Sequence, residues 1–289
     1  MTQQDIHSVN HVGLVARDLA AAADRYQRMG FVLTPFSAHA GAWKPGAAVS
    51  PLGSGNRCVM FEQNYLEILG SEHAAAPSPR LEQYLRHHQG GHIICFGSED
   101  LSSVDRRLKA CGMGSSGVIP LQRDVETPEG VRTARFERVQ FSPDDSPEGY
   151  IQAARHLTPE FIYQPRYARH PNGCTELSDT VLIVDDVARF RERYEHFTGL
   201  EPTVEAGEVT YRFPLCSRLT LLGRDRALER LPGTLHPPVP GIAAVGFRCP
   251  DLRTQADLLR SAGVPFLEAG GRLIVPAEEA AGVAVIFEA

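Results

Sequence analysis

The sequence has 289 residues, of which 43% are hydrophobic and 22% are charged, and its net charge is −6. A chain of this length and composition is typical of a globular protein with about two domains. The negative charge gives no electrostatic support for binding nucleic acid, so we expect no nucleic-acid partner.

The sequence predicts neither a targeting signal nor a membrane anchor. No run of about 18 apolar residues occurs, so we expect no membrane-spanning helix and no membrane partner. The opening stretch MTQQDIHSVN lacks the basic start and apolar core of a signal peptide. The six cysteines form no CxxC pair, and this favours free, buried thiols over disulfides. These features together predict a cytoplasmic protein.

Four segments share one pattern: an apolar strand, an Asp followed by Leu or Val, and a helical stretch that ends at Gly. In chain order they are HVGLVARDLAAAADRYQRMGF, HIICFGSEDLSSVDRRLKACGM, TVLIVDDVARFRERYEHFTGL and AAVGFRCPDLRTQADLLRSAGV. Asp at a helix start accepts a hydrogen bond from a free backbone N–H. Gly can adopt the left-handed conformation that closes a helix. The pattern therefore predicts four helices, between Asp and Gly at 18–30, 100–112, 186–199 and 251–263.

Three strand-like runs follow each predicted helix, so the repeated unit is β-α-β-β-β. One such unit leaves a face of its sheet uncovered, and two units must therefore pair. The predicted fold class is α+β, with four βαβββ modules paired into two domains. The predicted bounds are 1–157 for the first domain (modules 7–70 and 90–157), 158–173 for a linker and 174–289 for the second domain. We expect the linker aromatics Phe161, Tyr163 and Tyr167 to pack between the domains.

The modules and the stretches NHVGLVARDL, YLEIL and GHIICF resemble the vicinal oxygen chelate superfamily, which includes glyoxalase I, extradiol dioxygenases and fosfomycin-resistance proteins. The passages GNRCVMFEQNYLEILG, RDVETPEG and HLTPEFIYQPRYARHPNG are similar to those of bacterial glyoxalase-like domain proteins. The resemblance covers nearly the whole chain. It implies that two modules form a cup of sheet around a metal ion.

In that superfamily the metal ligands come from the first and last strands of the modules. The resemblance therefore implies that His11, Glu67 and His92 bind one divalent metal ion, which would be Fe, Mn, Ni or Zn. Alternation along YLEIL independently places Glu67 on the concave face of the sheet. Gln152 stands where glyoxalase I has a glutamate. A shift in strand register would make His156 the fourth ligand instead.

Other interpretations of these residues remain open. A histidine on an apolar strand is more often a hydrogen-bonded core residue than a ligand. Glu67 could also pair with Arg123 or Arg135, which would leave a metal-free binding cup. The residues expected to contact substrate are Tyr65, Arg123, Arg135, Tyr150 and His156.

This set predicts a metal-dependent lyase or isomerase acting on a small oxygenated molecule, with Glu67 moving a proton. The alternatives are an Fe(II)-dependent extradiol-type dioxygenase and a non-catalytic protein that binds a small molecule such as an antibiotic. The second domain has Asp179 and Ala244 near the places of His11 and His92. We therefore expect that domain to be structural or to support a homodimer. A small-molecule substrate is the other expected partner.

Overall fold

The computed structural model describes residues 4–41, 50–71 and 78–289. Four βαβββ modules follow one another, and this confirms the predicted α+β fold class. The elements of the first half are β1 (Ser8–Val15), α1 (Leu19–Arg28), β2 (Ser37–Gly41), β3 (Ser50–Met60), β4 (Tyr65–Gly70), α2 (Pro79–His87), β5 (Gly90–Gly97), α3 (Leu101–Ala110), β6 (Ser115–Thr127), β7 (Gly130–Phe141), β8 (Tyr150–His156) and α4 (Pro159–Ile162). Those of the second half are β9 (Glu176–Ile183), α5 (Val187–Thr198), β10 (Thr203–Glu205), β11 (Glu208–Arg212), β12 (Arg218–Leu222), α6 (Arg224–Arg230), β13 (Gly241–Arg248), α7 (Leu252–Ser261), β14 (Leu267–Ala269), β15 (Arg272–Val275) and β16 (Ala284–Glu288).

The four module helices begin and end as the Asp–Gly pattern predicts. Each helix starts after an Asp whose side chain accepts the backbone N–H three residues on; these are Asp18, Asp100, Asp186 and Asp251. Each helix is followed by a glycine with positive φ; these are Gly30, Gly112, Gly199 and Gly263, at 87°, 73°, 69° and 64°. The sequence pattern therefore locates both ends of all four helices.

The strand pairing builds two cups. The first strands of paired modules run antiparallel, β1 beside β5 and β9 beside β13. Each first strand also pairs in parallel with the last strand of its own module. We call the concave side of modules one and two the first cup, and that of modules three and four the second cup. Ile242 pairs with Gly91, so one sheet runs through both halves.

The convex sides of both halves share one hydrophobic core, which contains buried residues of all four module helices. The ring of Phe31 lies 4.7 Å from that of Phe247 and 5.9 Å from that of Phe287. The division into two domains stays a prediction, because the sheet and this core both continue across the predicted boundary between the two halves. All six cysteines are free and five are buried. In the described ranges, no helix is long and apolar enough to cross a membrane.

The linker aromatics line the first cup. Phe161, Tyr163 and Tyr167 lie against Cys58 and Met60 of the first half, and Tyr163 also lies near Cys216 of the second half. The Tyr163 hydroxyl accepts a hydrogen bond from Asn10 at 2.8 Å. The linker therefore forms a wall of the first cup, because its aromatic rings pack on the apolar side chains of Cys58 and Met60.

His170 fixes the end of the linker to the core. Its ring is 8% exposed and lies edge-on to Phe61 at 4.9 Å. Nδ1 accepts the Val32 N–H at 3.0 Å, and Nε2 donates to the Met60 carbonyl at 2.9 Å. The neutral ring thus satisfies two backbone groups, and protonation would place an N–H against the N–H of Val32.

We expect His170→Ala to lower the free energy of unfolding by about 2–4 kcal/mol, because two buried backbone groups lose their partner. Burial lowers the pKa of His170 below 6.5. The unfolded chain then takes up the proton first, so this stabilisation is full above pH 6.5 and declines as the pH falls below it. Urea unfolding between pH 7.5 and 5 measures both effects. His87→Ala, on the exposed end of α2, is the control, and an equal loss in both variants would contradict the assignment.

Candidate functional site

The first cup is lined by alternate side chains of β1 and β4. The parallel register pairs His11 with Tyr65 and Gly13 with Glu67. Val12 and Leu66 point the opposite way and are fully buried in the core. Glu67 therefore faces the concave side, as the alternation predicts.

Glu67 is 9% exposed and lies among three polar side chains. Asn56 donates its Nδ2 hydrogen to Oε1 at 2.5 Å. The Nε2 atoms of His11 and His39 lie 3.9 Å from Oε2 and from Oε1, respectively. Burial alone would raise the pKa of Glu67, but the two histidines and the Asn56 hydrogen bond lower it below its ordinary value. We call these four residues the Glu67 cluster.

Asn10 sets the proton position on His11. The Asn10 amide nitrogen donates to Tyr163, so its oxygen faces His11 Nδ1, at 2.9 Å. His11 therefore carries a hydrogen on Nδ1. Burial lowers the pKa of His11 to about 4, so the ring is neutral at pH 7 and Nε2 presents a lone pair.

That lone pair faces a carboxylate. His11 Nε2 and Glu67 Oε2 are both acceptors, and at 3.9 Å they make no hydrogen bond with each other. Two facing acceptors in a buried position are stabilised by a hydrogen-bond donor that reaches both of them. The Glu67 cluster is therefore suited to receive a hydroxyl group or an acidic C–H of a small molecule.

Aromatic rings form one wall of the cup. Tyr65 stacks on His11 with ring centroids 4.6 Å apart, and His156 stacks beyond it at 6.4 Å from Tyr65. Tyr163 of the linker lies 5.3 Å from His156. Burial, with help from His11 and Arg123, lowers the pKa of His156 to about 3, so this ring is neutral. The structure thus brings His156 into the first cup as part of an aromatic wall.

Gln152 occupies the place in module two that Glu67 occupies in module one. Cys95 pairs with Gln152 in the same parallel register in which Gly13 pairs with Glu67. The Oε1 atom of Gln152 is buried and has no hydrogen-bond partner in the described part of the chain. It is an acceptor that a bound molecule could satisfy.

His92 is not brought to the Glu67 cluster. Its Nε2 bonds to the His88 carbonyl at 2.9 Å, and its ring packs against Tyr84 of α2 at 4.9 Å. The reason is a bulge, since Gly13 pairs with Ile93 but Leu14 pairs with Gly91, which leaves His92 unpaired. His92 is thus a hydrogen-bonded histidine on an apolar strand, the alternative left open by the sequence.

The residue equivalent to His11 is Ile93. Tyr150 pairs with Ile93 as Tyr65 pairs with His11. The sequence carried a signal for this: His11 and Ile93 each precede their helix-capping Asp by seven residues, whereas His92 precedes it by eight.

The predicted substrate contacts divide into two places. Arg123 lies in the first cup, over the Phe136 ring at 5.6 Å, and its Nε atom is buried without a partner among the described residues. Neither Arg123 nor Arg135 comes within 4 Å of Glu67. Arg135 is exposed, and Tyr150 lies in a separate cavity.

A cavity of about 290 Å³ opens between Arg123 and the linker. Asn56 and Cys58 line one side, and Phe161 and Tyr167 line the other. The cavity therefore adjoins the Glu67 cluster through Asn56, and it has the size of a small organic molecule.

Several residues of this site were missed from the sequence: Asn10, His39, Asn56, Phe161 and Tyr163. Asn56 carried a signal, because it shares one face of β3 with Cys58 and Met60 by alternation. His39 lies on the edge strand β2, and no repeat position marks it. The linker aromatics were noticed, but their place was not predictable from composition.

A comparison of the sequence with protein-family models identifies the family of this chain. The model of the glyoxalase-like domain family matches residues 9–198. The chain belongs to the glyoxalase-like domain family. Its resemblance to the vicinal oxygen chelate superfamily is thereby confirmed. No curated protein sequence matches this glyoxalase-like chain.

Solved structures show the same fold at low sequence identity. A hypothetical protein from Staphylococcus aureus has a TM-score of 0.61 at 12% identity, covering 96% of this chain and 98% of its own. A mutant of 4-hydroxymandelate synthase from Streptomyces coelicolor has a TM-score of 0.62 at 13% identity, covering 98% and 92%. The Mn(II)-bound glyoxalase from Novosphingobium aromaticivorans has a TM-score of 0.53 at 12% identity, covering 98% and 82%.

The predicted ligand set of this glyoxalase-like protein does not converge. His92 is turned to α2, and Ile93 stands at the place equivalent to His11. Across the described ranges, no group of three or more His, Cys, Asp or Glu residues is placed to hold a metal ion. The three predicted ligands therefore do not meet around one ion, although His39 joins His11 and Glu67. The chemistry below relies on the chain's own side chains.

The second cup is closed by ion pairs. Asp179 is 1% exposed and stands at the place equivalent to His11, where Arg218 bonds it at 2.9 Å. Arg218 also donates to both carboxylate oxygens of Glu288, at 2.7 Å each. Ala227 of α6 packs against this cup's apolar residues. The second cup thus satisfies its own charges, whereas Glu67 has no arginine within 4 Å in the described chain.

Proposed function

We propose that the first cup binds a small oxygenated organic acid and that Glu67 removes a proton from it, as in isomerase and lyase reactions. The carrying observation is the Glu67 cluster, a buried carboxylate faced by an unprotonated imidazole nitrogen at 3.9 Å. Its lowered pKa keeps Glu67 in the basic form at neutral pH.

Arg123 is the proposed partner of the acid group. Its buried Nε lacks a hydrogen-bond partner in the described structure, and a carboxylate would supply one with a charge-assisted bond. Arg123 also lines the cavity that Asn56 joins to Glu67. We infer that a molecule seated there turns its acidic C–H group toward the Glu67 cluster.

The proposed step is a proton transfer, in which the substrate is neither oxidised nor reduced. The C–H bond of the substrate breaks, its proton passes to the Glu67 carboxylate, and its electron pair enters an enolate. The Arg123 guanidinium stabilises the negative charge that develops on the enolate oxygens. The proton then returns to the same or a neighbouring carbon, or a leaving group departs.

Hydrogen exchange tests this proposal. Small 2-hydroxy and 2-oxo acids are incubated with the protein in D₂O, and proton NMR follows loss of the C2–H signal of the 2-hydroxy acids and of the C3–H signal of the 2-oxo acids. We expect exchange that saturates with substrate, and a Michaelis constant at least tenfold higher in Arg123→Gln because a charge-assisted bond is lost. Arg135→Gln, an exposed arginine of the neighbouring strand, is the matched control.

Elemental analysis of the same preparations checks the role of metal. We expect far less than one equivalent of divalent metal per chain, with exchange unaffected by a chelator. One equivalent that disappears in His11→Ala, together with exchange abolished by the chelator, would overturn the proposal in favour of a metal-dependent enzyme.

A non-catalytic binding protein is the second candidate, favoured by the aromatic wall of Tyr65, His156 and Tyr163. Saturable binding of a small acid without any exchange would support it against the enzyme. The dioxygenase alternative predicts oxygen consumption with catechols. We expect none, because His92, one of the three predicted iron ligands, is turned to α2.

A further inference from the structure

A second cavity, of about 660 Å³, lies beside α2 and against the concave side of module two. Its walls include the ring of Tyr150 and the proline segment 238–240 of the second half. We call it the arginine cavity, because Arg80 and Arg138 both line it.

Two guanidinium groups meet on one tyrosine there. Arg80 lies over the Tyr150 ring, 4.2 Å from its centroid, and Arg138 donates to the Tyr150 hydroxyl at 2.5 Å. Tyr150 in turn donates to Gln140 at 3.2 Å. The tyrosine therefore holds two positive charges on one wall of the cavity.

Among the described residues, no carboxylate lies in contact with this pair, and Glu67 acts on Arg80 only from beyond 4 Å. Within the ranges the structure describes, neither Arg80 nor Arg138 has an Asp or Glu oxygen within 4 Å. Glu148 also lines the cavity, but it is bound to Arg193 at 3.0 Å and to Tyr194 at 2.7 Å. Two like charges brought together without a counter-charge repel each other, and an anion between them removes that cost.

Unpaired donors surround the same space. The Nε atom of Arg138 is buried without a partner among the described residues, and so are the Ser146 hydroxyl and the His88 ring, which carries one N–H donor when neutral. Ser146 is 5% exposed, so its hydroxyl cannot turn to bulk water. Buried donors of this kind are normally hydrogen-bonded.

We propose that the arginine cavity is a binding site for an oxyanion, the phosphate or carboxylate group of a small metabolite. Arg138 and Arg80 supply the charge, and Ser146 and His88 supply further hydrogen bonds. The site does not depend on the proton transfer assigned to Glu67, which lies beyond 4 Å of either arginine.

Titration with inorganic phosphate and with acetate, at constant ionic strength set by chloride, tests the proposal by calorimetry and ³¹P line broadening. We expect saturable binding of at least one of the two anions, which also identifies the preferred group. Arg80→Gln and Arg138→Gln should each weaken it at least tenfold. Arg86→Gln, an exposed arginine of the same helix, should leave it unchanged.

Two further comparisons separate the proposed anion site from effects on folding and from the first cup. Arg80 is exposed, so Arg80→Gln tests the site even if Arg138→Gln unfolds the chain. Glu67→Gln should bind phosphate or acetate here at least as tightly as the wild type, because it removes a negative charge that acts on Arg80. Absence of saturable binding by both anions, or equal affinity in the wild type and Arg80→Gln, would overturn the proposal.

Discussion

Glu67→Gln is expected to lower the rate of hydrogen exchange at least about a hundredfold, the typical contribution of a positioned general base. The amide has nearly the shape of the carboxylate and can still accept the hydrogen bond from Asn56. It cannot take a proton from carbon. The substitution also removes a buried charge, so the free energy of unfolding should not fall.

The control for this variant is Glu62→Gln, an exposed residue in the turn before β4. NMR exchange rates and urea unfolding are measured on all three proteins. Exchange that continues at the wild-type rate in Glu67→Gln would remove Glu67 from the reaction, whereas loss of exchange with loss of folding would leave only a structural role.

Arg218→Met is expected to destabilise the protein by about 3–5 kcal/mol, the usual cost of removing one partner from a buried ion pair. Arg218 bonds the buried carboxylate of Asp179 and the partly buried carboxylate of Glu288. Without it they repel each other, and Arg230 is the cation that remains near Asp179 in the described part of the chain, at 3.6 Å. Urea unfolding measures the loss, and Arg212→Met on the exposed face of β11 serves as its control.

Neutralising the two acids should restore much of that loss. The triple variant Arg218→Met, Asp179→Asn, Glu288→Gln keeps the volume of the cup but carries no unpaired charge. A loss in Arg218→Met no larger than in Arg212→Met would mean that the ion pairs do not hold the second cup together.

Features governed by local rules were predictable from the sequence. The helix ends follow from Asp18 and Gly30 and their repeats, because caps and left-handed glycines act within a few residues. Glu67 was placed on the concave face because strands alternate. The helices α2 and α6 were missed because each is a single short helix between modules.

Features that depend on strand register were harder to predict from the sequence. One bulged residue separates His92 from Ile93 and moves the imidazole from the cup to α2. To predict that the second cup is closed, one would have to know that Arg218 reaches both Asp179 and Glu288. Those contacts cross module boundaries, and no spacing rule in the sequence specifies them.

The linker wall has a consequence for how selectivity could change in this family. Phe161 and Tyr167 border the cavity beside Glu67, yet they belong to neither module of the first cup. His170 holds their segment against the core, and from there the chain passes directly into β9. Substitutions or insertions in this connecting segment could therefore reshape the pocket for a new molecule while every strand of the repeated modules stays intact.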